Sequence, residues 1–279
     1  MFASYLYTPA LRIDSLVDGR QEVAAQALVI DLEDSTHFNA KAEAREKIAG
    51  FDFAPLKQRG VPIGMRINTI RSFDGLRDVD MLKTVVERDG DALSFILAPK
   101  VRHHSEVGVY RALLDALPAR LQLLPFIETT DAVEDADAIA RVSDGLCFGQ
   151  ADLVAEMYSP NAAYIDHARA KLCVAAAKYR IPAIDTNSFE IHDMIAFESQ
   201  CVAARSYGFT GKAAIHPRQV PAINRLLSMT PEALQKYQVT VDTYLQSPTG
   251  FQLLDGQVIA PPFVAKARLM LAVHGNGAR

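Results

Sequence analysis

The chain has 279 residues, 49% of them hydrophobic, and a net charge of −4. That is enough apolar material for one domain of barrel size or two small ones. The mild acidity argues against a nucleic-acid surface, and no apolar stretch approaches the roughly 20 residues of a membrane span. Met1 leads almost directly into a strand-like segment without an export signal. Cys147, Cys173 and Cys201 stand apart in apolar or helical contexts, as small core residues do in a reducing compartment. A cytoplasmic location is therefore expected.

In chain order, short apolar runs fall at 5–8, 27–32, 62–67, 93–98, 121–127, 145–148, 183–185 and 213–215. Stretches such as AKAEAREKIAGF, HSEVGVYRALLDALP and IDHARAKLCVAAAKY lie between them and carry helical spacing. Runs this apolar suit strands buried on both faces. Eight β units alternating with α units predict an α/β fold, a (β/α)8 TIM barrel, with a doubly wound open sheet as the alternative. After His216 the pattern changes. Residues 220–227 read as a helix. A second begins after Thr230 as N-cap, with Pro231 at its first position. FQLLDGQVIAPPF reads as a hairpin-like turn and VAKARLMLAVHG as a last helix, with a frayed GNGAR end. The expected division is a barrel over 1–227 and a short helical C-terminal extension over 228–279, a lid or an oligomer arm.

Polar residues gather just after the runs: Thr8, Glu33, Asp34, Asn68, Lys100, Glu128, Asp152, Asp185 and His216. C-terminal strand ends carry the chemistry in barrels and open α/β sheets alike. In LQLLPFIETTDAVEDADAIARVSDGLCFGQADL two strands flank a helix, and Glu128 and Asp152 fall at the same end of both. Successive parallel strands are neighbours, so the two acids could share one divalent cation; the alternative is two helix caps. With oxygen donors only, Mg²⁺ fits better than Zn²⁺. Arg66, in MRIN, ends an apolar strand and needs an anionic partner. That partner is a substrate carboxylate or enolate oxygen, or else Glu33 or Glu128 in a structural salt bridge. The acids of DLED, Asp31 to Asp34, form an acid–base group or support the metal, or else cap a helix and pair with Lys41 or Arg45. GFTGK at 208–212 precedes the eighth run and is not a P-loop. His216 before Pro217 reads as an anchor of the barrel top, with a general base as the alternative. His103 and His104 read as solvated surface.

SYLYTPAL, ALVIDLEDST with AKAEAR, MRIN, APKV, FIETTDAV, GLCFGQADL, AIDT and GFTGKAAIHPRQVPAIN occur in that order. With this set the chain resembles the HpcH/HpaI aldolase and citrate lyase β-subunit (CitE-like) family. The resemblance implies a (β/α)8 barrel, trimeric or hexameric, with Mg²⁺ at its top. It implies a lyase that cleaves or forms the carbon–carbon bond between a small oxoacid and an acyl thioester on coenzyme A or an acyl carrier protein. Citramalyl, malyl and citryl thioesters are the substrate class. By motif, Glu128 and Asp152 match the metal ligands. Arg66, and Glu128 through the metal, match substrate-binding positions. Arg66, Glu33 and Asp34 match the catalytic set. Two alternatives stand beside this: an aldolase acting on a free hydroxy-oxoacid, and a non-catalytic subunit that binds a partner. The chain departs from the pattern at VIAPPF, where Ala260 replaces an aspartate that serves as acid or base; Asp255 is the nearest candidate to substitute. Arg12, Arg20, Lys41 and Arg71 are candidate coenzyme A contacts.

Overall fold

The computed structural model describes residues 1–17, 24–247, 250–254 and 256–274. Arg20, Asp255 and the 275–279 end lie outside the described residues. Eight parallel strands close into a barrel: β1 (Ser4–Pro9), β2 (Ala27–Asp31), β3 (Ile63–Arg66), β4 (Phe95–Ala98), β5 (Gln122–Ile127), β6 (Leu146–Phe148), β7 (Ala183–Asp185) and β8 (Gly211–Ala214). The order is sequential and β1 pairs with β8, so the predicted (β/α)8 barrel is present and the open sheet is not.

Alternation along each strand sorts the side chains into two layers. Tyr5, Val29, Leu97, Phe126, Cys147 and Ile184 pack together inside the barrel. Leu6, Leu28, Ile30, Ile96, Ile127 and Ala183 face outward, in the larger core shared with the helices. The same parity decides what stands above the interior plug. Two residues beyond Tyr5, Val29, Phe126 and Cys147 come Tyr7, Asp31, Glu128 and Gly149, all of which line the mouth.

The chain divides into two compact units, one of Phe2–Leu227 and one of Ser228 onward together with Met1. In the second, the helices Pro231–Leu245 and Pro261–His274 pack on each other through Val241, Val264 and Ala267. Thr230 caps the first, its Oγ1 accepting the Ala233 N–H at 3.2 Å. An antiparallel hairpin, Gln252–Leu254 with Gln257–Ile259, lies between them. No helix among the described residues is long and apolar enough to cross a membrane.

Residues 211 and 212 were expected before the eighth strand, but they open it. A Cβ at Gly211 would stand 2.6 Å from the Phe2 carbonyl oxygen, so only glycine lets β8 close against β1. Lys212 is thereby fixed on the outward face, fully buried.

Candidate active site

The C-terminal ends of the strands enclose a cavity of about 360 Å³ lined by Tyr7, Asp31, Asp34, Arg66, Glu128 and Asp152 among others. β2 and β3 place Asp31 and Arg66 opposite each other in register. The guanidinium meets Asp31 as a fork, Nε to Oδ1 at 2.7 Å and Nη2 to Oδ2 at 2.6 Å. Its Nη1 lies 3.0 Å from Glu33 Oε2. The rings of Tyr7 and Phe126 lie 5.5 and 5.8 Å from its centre. Burial opposes charge on Asp31, but Arg66 outweighs it and holds that carboxyl below its usual range. Arg66 thus has Asp31 as its main partner and Glu33 as its second. Glu128, the other partner considered from the sequence, forms no ion pair with it.

Glu128 follows β5 directly and is 2% exposed. Its Oε1 accepts the Lys100 N–H at 2.6 Å. Burial, then the charges of Asp152 and Glu33, push its carboxyl up to about 8. It lies against Gly149, where a Cβ would stand 2.2 Å from Oε2 and 2.5 Å from the Glu128 Cβ. Gly149→Ala is therefore expected to cost about 1–3 kcal/mol through overpacking and to push Glu128 off the Lys100 amide. A thermal melt reads this as a fall of about 2–4 °C per kcal/mol; an unchanged midpoint would contradict the contact.

Asp152 lies just past the C-terminal end of β6, near which the sequence places it. It sits in the first turn of the helix Gln150–Ala155, which starts just beyond β6. The element that joins it to the other acids is Lys100, which the sequence reading placed on the rim without a role. Its backbone takes the left-handed conformation, φ 54°, costly by roughly 1–2 kcal/mol for a side chain with a Cβ. This turns the ammonium onto Glu33, Asp34 (3.3 Å) and Asp152 (3.4 Å). Burial works against that charge. The Glu33 hydrogen bond and the charges of Glu33, Asp152 and Asp34 prevail and hold the ammonium above its ordinary range. Burial likewise raises the Glu33 carboxyl against the pull of Arg66 and Lys100. For Asp34 burial is outweighed by the Glu33 hydrogen bond and the two cations, and its carboxyl is lowered.

Several polar residues after the strands have other duties. Asn68 is buried and bonds Lys41, the Leu32 carbonyl and Asp78. Lys41 donates to the Leu32 and Glu33 carbonyls, and Arg45 pairs with Asp74 and Asp78, so neither neutralises the DLED carboxylates. Lys41 is not a free rim cation for coenzyme A, and Arg71 is tied to the Lys100 carbonyl and Glu106. Arg12 is exposed. Asp185 borders the cavity but commits its carboxylate to Lys212 and Arg169. His216 is an anchor: its Nδ1 accepts the Arg218 N–H at 3.2 Å, capping the turn Pro217–Gln219. The three cysteines are free and buried.

The arrangement is specific enough to compare with known proteins. The model of the HpcH/HpaI aldolase/citrate lyase family matches residues 4–217. The chain belongs to this family. It is 26% identical over 280 residues to the (3S)-malyl-CoA thioesterase of Cereibacter sphaeroides, covering 97% of this chain and 94% of that one. It is 29% identical over 231 residues to the mitochondrial citramalyl-CoA lyase of Mus musculus, covering 74% and 66%. Protein CitE of Mycobacterium tuberculosis, solved in complex with magnesium, acetoacetate and coenzyme A, shares the fold with a TM-score of 0.72 at 23% identity over 98% of each chain. Membership in this family makes the protein a lyase.

Proposed function

We propose that this enzyme is a Mg²⁺-dependent carbon–carbon lyase acting on a short β-hydroxyacyl thioester, of the citramalyl, malyl or citryl class, carried on coenzyme A or an acyl carrier protein. One observation carries the reading. Asp31, Asp34, Glu128 and Asp152 line one mouth, Glu33 adjoins it through its ion pairs with Arg66 and Lys100, and among the described residues those two cations are the ones paired with this group. Five carboxylates against two cations leave negative charge in excess around a buried Glu128, and the donors are all oxygen, which suits a hard divalent ion. Glu128 and Asp152 would hold it, and Gly149 leaves the room Glu128 needs. When bound, Mg²⁺ supplies Lewis acidity toward the substrate hydroxyl and carboxylate.

The rest falls to the chain's own side chains. Cleavage removes the hydroxyl proton, turns that carbon into the oxoacid carbonyl, and passes the bonding electrons to the acyl half as an enolate. Arg66, held rigid by Asp31 and between two aromatic rings, directs its remaining polarity at the oxygen where negative charge grows. Glu33, raised by burial and within reach of both cations, is suited to accept the hydroxyl proton at its carboxylate. Lys100 keeps Glu33, Asp34 and Asp152 together as that proton moves. Apolar residues exposed on the second unit, among them Leu245, Leu253 and Phe263, support the reading of that segment as a lid or a subunit arm in a trimer or hexamer.

The test is direct. Chelator-treated enzyme is incubated with citramalyl-, malyl- and citryl-coenzyme A, with and without Mg²⁺, and oxoacid release is followed. Mg²⁺-dependent release from at least one thioester is expected. Release from none of them, with no heat of Mg²⁺ binding, would overturn the reading. Ala260 favours a second reading, an aldolase on a free hydroxy-oxoacid. Pyruvate formed from such acids, with no thermal shift from coenzyme A, would select it.

A further inference from the structure

We propose a second metal site on this chain, built from His103, His104 and Asp135, with the chemistry of Zn²⁺ and its borderline neighbours and not of Mg²⁺. The three residues come from the starts of two helical segments, His104–Asp115 after β4 and Ala136–Arg141, the second short helix after β5. None of them lines the acidic cavity. One ligand atom from each lies within 4.8 Å of the other two.

Asp135 Oδ2 is the hub. His104 Nδ1 lies 2.8 Å from it and His103 Nε2 3.6 Å. The two imidazoles pack against each other, tilted by 41° with centroids 4.0 Å apart, and both present a nitrogen to the same oxygen. Ligand atoms about 2.0 Å from a tetrahedral ion stand roughly 3.3 Å apart. The two spacings to Asp135 Oδ2 bracket that value and the two nitrogens lie within 4.8 Å of each other, so side-chain adjustment within the cluster would admit the ion. Two imidazole nitrogens and one carboxylate oxygen form a donor set for Zn²⁺, Ni²⁺ or Cu²⁺, whereas the mouth offers only oxygen. Three protein ligands leave the fourth position for water or another donor.

The groups behind the ligands are in place. Asp135 is fixed by the His104 N–H, which donates to the same Oδ2 at 2.6 Å. His103 Nδ1 lies 3.0 Å from Ser105 Oγ, which can accept an N–H there and so leave Nε2 bare for metal. Taking up that role gives up the long 3.4 Å contact from the Ser105 N–H. His103 and His104 are half to one-third exposed and Asp135 one-fifth, so an ion can enter while one side stays sheltered. The positive end of the helix opposes a cation, but Glu106 in its first turn counters that. The two histidines are therefore not merely solvated surface. An ion bound to them would clip the β4 loop, which carries Lys100, to the helical segment after β5.

The experiment uses the full chain, stripped by chelator and held in excess Mg²⁺ so that the all-oxygen mouth is occupied. Zn²⁺ is then delivered in competition with a chromophoric indicator. Wild type is expected to take up one equivalent and to gain thermal stability with it. His103→Gln/His104→Gln should bind that equivalent at least about 30-fold more weakly, and Asp135→Asn about tenfold. Glu128→Gln should keep it, which locates the ion away from the mouth. Circular dichroism confirms that the variants fold. Zn²⁺ uptake unchanged in both variants, or no uptake by wild type, would overturn the proposal.

Discussion

Glu128→Gln is expected to make the enzyme more stable in chelator-containing buffer and nearly inactive. The two effects share one cause. Glu128 is buried, faces Asp152 and Glu33, and holds its proton up to about 8 against an ordinary 4.5. A carboxyl raised in the folded state binds more protons there than in the unfolded chain, so stability falls as pH climbs between those two values. The glutamine keeps the acceptor for the Lys100 amide and carries no charge. The gap between variant and wild type should therefore open with rising pH from about 4.5 to 8, by at most about 1.4 kcal/mol per unit. Added Mg²⁺ should narrow it by stabilising wild type alone. Activity moves the other way. If Glu128 holds the cation, its loss removes several kcal/mol of charge stabilisation, about a thousandfold in rate. Thermal melts across pH and a thioester assay check both arms. A variant less stable than wild type at pH 8 without metal would remove the electrostatic argument.

The strands were legible because each is a short apolar run buried on both faces, and eight such runs separated by helix-length segments point to a barrel. The mouth was legible in part. Asp31, Arg66 and Glu128 belong to strands whose parity continues from the interior plug, so a count of two from a buried residue finds them. Register was not legible. That Arg66 would lie opposite Asp31, and meet Glu128 only at longer range, depends on how β2 and β3 align. Nor could periodicity show that Lys100 takes a left-handed backbone that delivers its ammonium to three carboxylates, two from the loop after β2 and one from the helix after β6. A polar residue at a strand end can also face the wrong way. Asp185 ends β7 as Asp31 ends β2, but Ile184 occupies the interior position there, so Asp185 points into the helical layer.

That orientation sets up the largest expected effect on stability. Lys212→Met should lower the stability of the barrel unit by about 3–5 kcal/mol, because it leaves a buried carboxylate short of its main partner. Lys212 and Asp185 are register partners on β8 and β7, 1% and 0% exposed, with Nζ 2.6 Å from Oδ2. The ammonium also donates to the Thr186 carbonyl at 2.7 Å. Asp185 Oδ1 has no hydrogen bond and only the Arg169 guanidinium at 3.3 Å, and that group is shared with Gln150. Arg169 therefore cannot replace what Lys212 supplied to the other oxygen. The thermal midpoint should fall by roughly 10 °C. Removing the stranded charge as well should reverse much of this, so Asp185→Asn/Lys212→Met is expected to be more stable than Lys212→Met alone, although it has lost more native polar groups. Breaking one partner exposes the cost of burying the other, whereas removing both charges deletes that cost along with the attraction. Were the double variant the less stable of the two, the pair would be contributing more attraction than its burial takes away, and the ion pair would be a net source of the barrel's stability.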